Sequence, residues 1–123
     1  MLTERKQPKS EALTGVDCAW LRLDTPHNSM TVTALLVFDD PLDFDDLRHL
    51  VTTRLLPFRR FRQRVQRPGG LARPRWQLVD DFALDAHVKR CTLAPDADLH
   101  TLVARLLNDP LDPHEPLWDM HLV

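Results

Sequence analysis

A chain of 123 residues with 43% apolar and 28% charged side chains has the make-up of one globular domain, which excludes a disordered segment and a two-domain protein. A net charge of −2 gives no overall pull toward polyanions. The longest uninterrupted apolar run covers residues 34–38, far short of the roughly 20 apolar residues that a helix needs to cross a bilayer.

In chain order, residues 1–12 are polar and read as a flexible N-terminus, followed by a single domain over 13–123. Thr14, with Asp17 three residues on, has the spacing of a capping box, in which each side chain bonds the other's backbone N–H. A short helix follows, with Val16, Ala19, Trp20 and Leu23 on one face, until Pro26 and Asn28 end it. Residues 31–38 are β-branched and apolar on both faces, the pattern of a central strand covered on two sides. Asp43 caps a second helix with Leu47, Leu50, Val51 and Leu55 at helical spacing, stopped by Pro57.

Residues 60–67 alternate, placing Phe61, Gln63 and Val65 on one face and Arg60, Arg62 and Arg64 on the other. The Pro68-Gly69-Gly70 turn and the run 75–79 complete a predicted hairpin. Residues 85–93 suggest a short strand. Asp98 caps a third helix with Leu99, Leu102, Val103, Leu106 and Leu107 in one stripe, closed by Asn108 and Pro110. A last strand is expected over 117–123, with Trp118, Met120 and Leu122 on one side. The fold class is therefore α/β (α+β), a mixed sheet with about three helices.

Two cysteines, Cys18 and Cys91, stand 73 residues apart, which is neither a disulfide framework nor a metal motif. Nothing at the start has the pattern of a secretory signal, so the expected compartment is the cytoplasm, with reduced thiols. His87 has Asp85 nearby, but a single strand histidine is ordinarily structural. His114 and His121 flank Trp118 without a convergent third ligand, so no metal site is expected.

Eight of the sixteen basic residues, all arginine, fall between Arg54 and Arg75, with Asp39, Asp40, Asp43, Asp45 and Asp46 just before. Arg60, Arg62 and Arg64 are candidates for contact with an anionic surface, a membrane or a lipid droplet. The same row could meet coenzyme A phosphates, or form a solvated face paired with the acids, the commonest fate of such a run. Nucleic acid is disfavoured, because the net charge is negative and Phe61 should point inward.

Several stretches in fixed order carry a resemblance: LTGVD, SMTVTALLVF, RLLPFRRFRQRV, RPRWQLVDDFALDAHVKR and LVARLLNDPLDPHEPLWDMHLV. Together they resemble the N-terminal part of the bacterial wax ester synthase/diacylglycerol acyltransferases, which share a chloramphenicol-acetyltransferase and condensation-domain-like fold. The resemblance runs from about Leu13 onward, and implies part of one lobe of that fold. It implies acyl-CoA as co-substrate, with no other cofactor, and a fatty alcohol or diacylglycerol as acceptor. It also implies a general base in a His-His-x-x-x-Asp-Gly motif. That motif is absent from these 123 residues: no two histidines are adjacent, and no glycine follows an aspartate.

The resemblance therefore assigns no catalytic residue here, and implies an N-terminal portion, inactive alone, that a complementary polypeptide could complete. Pro116, Leu117 and Trp118 match a family motif with a structural role, and Leu36, Phe38, Trp118 and Met120 are candidates for core or acyl-tunnel lining. The expected location is cytoplasmic, or peripheral at the inner membrane or lipid inclusions. Two alternatives stand beside this: a non-catalytic lipid-binding module using the arginine hairpin, and a piece of a condensation or polyketide-associated acyltransferase.

Overall fold

The computed structural model describes residues 8–123. It holds three α-helices and two small sheets. Strands β1 (Ser10–Ala12), β2 (Gln63–Gln66) and β3 (Arg75–Leu78) form an antiparallel sheet in the order β1-β3-β2. Strands β4 (Val88–Arg90) and β5 (Met120–Leu122) form a parallel pair. The mixture of pairings sought in one sheet is divided between two.

β1 falls within the segment expected to be flexible; residues 1–7 of that segment lie outside the described residues. Leu13 is only 1% exposed and donates its N–H to Pro74 C=O at 3.0 Å, directly after β1. Its burial brings the preceding residues to the edge of β3, where Ser10 faces Gln77 and Ala12 faces Arg75. The Arg75 side chain then donates to the Ser10 hydroxyl at 2.7 Å.

Helix α1 (Gly15–Leu23) starts as expected, the Thr14 hydroxyl accepting the Asp17 N–H at 3.1 Å. The Asp17 carboxylate makes a different bond from the capping-box one, accepting the Trp76 indole N–H at 3.4 Å. Val16, Trp20 and Leu23 are all exposed, so the apolar face of α1 is uncovered. The expected strand at 31–38 does not form: the segment is non-helical, pairs with no strand among the described residues, and leaves Val32 92% and Val37 81% exposed. A strand apolar on both faces needs paired neighbours and cover on two sides. Neither described sheet provides them.

Helix α2 (Phe44–Leu50) is capped by the Asp43 carboxylate, which accepts from the N–H groups of Asp45 and Asp46. Its apolar stripe builds the main core: Leu47 and the fully buried Val51 meet Val88, with Phe44, Leu84, Trp118 and Met120 packed around them. Beyond Leu50 the helix widens into a π-turn over Val51–Leu55, where Leu56 N–H reaches back to Val51 C=O. The hydroxyls of Thr52 and Thr53 donate to the carbonyls of Arg48 and His49, both at 2.8 Å. Such back-bonding competes with the regular ladder and loosens it.

The hairpin forms with Val65 opposite Trp76, but β2 starts later than expected. Arg59–Arg62 is a turn of 3-10 helix, and the first residues after Pro57 are coiled rather than extended. Helix α3 (Leu99–Asn108) supplies the connection that two parallel strands require, running between β4 and β5 with Leu102 buried. Only Val88–Arg90 of the suggested strand at 85–93 is extended, because Leu84–Ala86 is a 3-10 turn. β5 is also shorter than expected, since Trp118 N–H bonds Pro116 C=O and turns the chain before Met120. Among the described residues, no helix is long and apolar enough to cross a membrane.

Candidate functional site

The densest cluster of chemistry-bearing side chains forms where β4 and β5 enter their sheet. His87 closes the Leu84–Ala86 turn by donating its N–H to Leu84 C=O at 2.9 Å. Its own carbonyl accepts Met120 N–H at 2.7 Å, so the His87 backbone is tied to β5 as β4 begins. The residue is 2% exposed, and its ring stacks on both Phe82 (centroids 5.0 Å, planes 8° apart) and Trp118 (4.8 Å, 24°), which also stack on each other at 6.3 Å. Trp118 is held in turn by its indole N–H, which donates to Phe61 C=O at 2.8 Å, and by edge contact with Phe61.

His87 Nδ1 lies 2.8 Å from the Trp118 carbonyl oxygen. A carbonyl only accepts, so Nδ1 carries a proton; in the neutral tautomer this leaves the lone pair on Nε2. Nε2 is buried and has no hydrogen-bond partner among the described residues; Glu115 Oε2 is 4.0 Å away. The imidazole borders a cavity of about 250 Å³ that Lys89, Asp112, Glu115, Pro116 and Asp119 also line. Lys89 Nζ reaches Asp119 at 3.1 Å, and Asp119 Oδ1 stands 3.8 Å from His87 Nδ1. Such a cavity is suited to a small polar group that can donate to Nε2. Among the described residues, no group of three or more His, Cys, Asp or Glu is arranged to hold a metal ion.

The tunnel-lining candidates are not brought together. Trp118 and Met120 pack on the core, while Leu36 and Phe38 stand exposed on the unpaired segment. An apolar groove of about 490 Å³ lies elsewhere, lined by Pro41, Leu42, Phe44, Leu93, Leu122 and Val123, with Arg90 and Cys91. Sequence reading missed it because it joins the approach to α2 with the ends of β4 and β5, segments far apart in the chain. Pro116 is buried, and Leu117 is 40% exposed.

The arginine row is broken by the 3-10 turn. Arg60 lies over the Trp76 ring, 4.0 Å from its centroid, and pairs with Glu11 at 3.3 Å. Arg62 donates to Leu56 C=O at 2.9 Å, and Arg64, on β2, to His114 C=O at 3.3 Å. The acids at 39–46 do not appear as their partners. The Lys89–Asp119 pair was also missed; the register placing Lys89 opposite His121 is its only signal, and that register is tertiary.

Comparison with known proteins agrees with the order of motifs. A family model described as the wax ester synthase/diacylglycerol acyltransferase catalytic domain matches residues 13–123. The chain is 39% identical over 118 residues to "Probable diacyglycerol O-acyltransferase tgs3" of Mycobacterium tuberculosis, covering 90% of this chain and 44% of that protein. It is 33% identical over 118 residues to "Probable diacyglycerol O-acyltransferase tgs1" of the same organism, covering 90% of this chain and 26% of the relative. Identity to tgs2 is 31% over 116 residues, again with 26% of the relative covered. The chain thus spans less than half the length of these relatives. No solved structure matches it significantly. With 111 consecutive residues, from 13 to 123, inside one family description, the chain belongs to the wax ester synthase/diacylglycerol acyltransferase catalytic-domain family.

Proposed function

We propose that this chain supplies the N-terminal part of an acyl-CoA:alcohol O-acyltransferase that makes triacylglycerol or wax esters. The observation that carries the reading is the unbroken family match from residue 13 to residue 123. In the reaction, the acceptor hydroxyl oxygen attacks the thioester carbonyl, the C–S bond breaks, and the hydroxyl proton ends on the coenzyme A sulfur. The base that takes that proton is assigned to a His-His-x-x-x-Asp-Gly segment outside these 123 residues, supplied by further chain or by a complementary polypeptide. The role of this part is architectural: the Pro116-Leu117-Trp118 turn packs against α2 and sets the start of β5.

Assays with palmitoyl-CoA and either hexadecanol or diolein test the reading. The expected result is no ester from this chain alone, and ester when it is co-expressed with the part of tgs3 outside the matched segment. Ester from the chain alone would sink the architectural role; none from the complemented pair would sink the activity. The same reading has the protein in the cytoplasm, meeting its lipid at an anionic surface through Arg60, since the turn at 59–62 breaks the row expected of Arg60, Arg62 and Arg64. The Arg60 side chain is half exposed despite its contacts. Binding to phosphatidylglycerol vesicles that is unchanged by salt, or absent, would remove that element.

A further inference from the structure

Cys91 and His121 were the two ends of no recognisable motif, yet the structure joins them. Cys91 continues β4 by one residue, its N–H donating to Leu122 C=O at 2.7 Å. Alternation along the strand turns Arg90 toward Phe44, with the guanidinium 4.7 Å from that ring's centroid. Cys91 then falls on the same side as Lys89. Its Sγ lies 3.4 Å from His121 Nδ1, within thiol–imidazole hydrogen-bond reach. His121 Nε2 lies 3.9 Å from Asp119 Oδ2, and that same oxygen is anchored by Lys89 Nζ at 3.1 Å. A nucleophile beside a base, with the base facing a carboxylate, is the arrangement that activates thiols. Cys18 provides an internal contrast: it is also a half-buried free thiol, with no imidazole partner among the described residues.

We propose that Cys91 is a nucleophilic thiol that accepts an acyl group from a long-chain acyl thioester. The inference rests on the proposed function only for the identity of the donor. His121 Nδ1 takes the thiol proton, and the resulting imidazolium is stabilised by Asp119. Sγ attacks the thioester carbonyl, a new C–S bond forms, the bond to the coenzyme A sulfur breaks, and His121 returns the proton to that leaving thiolate. One thioester replaces another, so no oxidant or further reactant is required.

The test is incubation of the chain with palmitoyl-CoA, followed by peptide mass spectrometry with and without neutral hydroxylamine, alongside iodoacetamide alkylation rates at Cys91 and Cys18. The expected result is a hydroxylamine-labile palmitoyl group on Cys91 and not on Cys18, with Cys91 also alkylated faster. Imidazole base catalysis is worth about 10²–10⁴-fold, so His121→Gln should slow acylation of Cys91 by about 10²-fold. Asp119→Asn should slow it less. Equal modification of the two cysteines, no acylation of Cys91, or a rate indifferent to His121→Gln would overturn the inference. Ester formation and Cys91 acylation, both measured on the complemented protein with Cys91 intact, separate the two claims. Ester without Cys91 acylation removes the thiol proposal alone, and Cys91 acylation without ester removes the proposed function alone.

Discussion

Trp118 is constrained more heavily than its place in a short turn would suggest. Its ring stacks on His87, meets the edge of Phe61 and lies on the Leu47–Val51–Val88 core, while its indole N–H is spent on Phe61 C=O. Trp118→Phe keeps an aromatic ring but leaves that carbonyl without its donor. Chemical denaturation should show a loss of about 1–3 kcal/mol, the cost of an unsatisfied buried group. Trp118→Ala should lose about 3–5 kcal/mol, because stacking and core burial go as well. No loss in Trp118→Phe would show that the indole bond contributes nothing, and equal losses for the two variants would show that stacking and burial add nothing beyond it.

Asp98 is the clearest titration. The His100 backbone N–H donates to its carboxylate and holds its pKa below the usual range, with smaller help from the His100 ring and the Thr101 hydroxyl. A depressed carboxylate stabilises the fold above its unfolded pKa, and that contribution is lost as pH falls through the lowered folded value. Carboxyl-detected NMR should find Asp98 titrating below a denatured-state reference. In His100→Pro, which has no backbone N–H to donate, the Asp98 value should move back toward the reference.

Among elements, those set by local chemistry were the most legible. Thr14, Asp43 and Asp98 announce the three helix starts, and all three side chains accept N–H bonds at those starts. Thr14→Ala should cost about 1 kcal/mol, and Thr14→Asp should restore most of it; a thermal melt indifferent to both would mean that α1 is held by other contacts. Asp17 shows where local reading ends. Its spacing fits a capping box, but its carboxylate goes to Trp76, 59 residues away. The arginine run fails in the same way, because alternation of apolar and basic residues over 60–62 fits a strand and a 3-10 turn alike. The Pro57 break and the pairing of β2 with β3 from Gln63 onward decide between them.

At the scale of the whole molecule, the largest departure is residues 31–38. Their composition is that of a buried strand, and their surroundings are solvent. Together with exposed Val16, Trp20 and Leu23 on α1, they present apolar surface that favours self-association. Replacing Leu36 and Val37 by lysine should lower the sedimenting weight of concentrated solutions with little change in melting temperature. A large drop in melting temperature would show instead that the segment is packed.

Caps, helical stripes, the hairpin turn and the family motifs could be read from the sequence by itself, because each acts over a few neighbouring residues. The tertiary structure alone decided that β1 joins β3, that the 31–38 segment pairs with no strand among the described residues, that His87 meets Trp118, and that Cys91 meets His121. Those outcomes depend on which surfaces are present to be paired, and strand propensity carries no information about its partner.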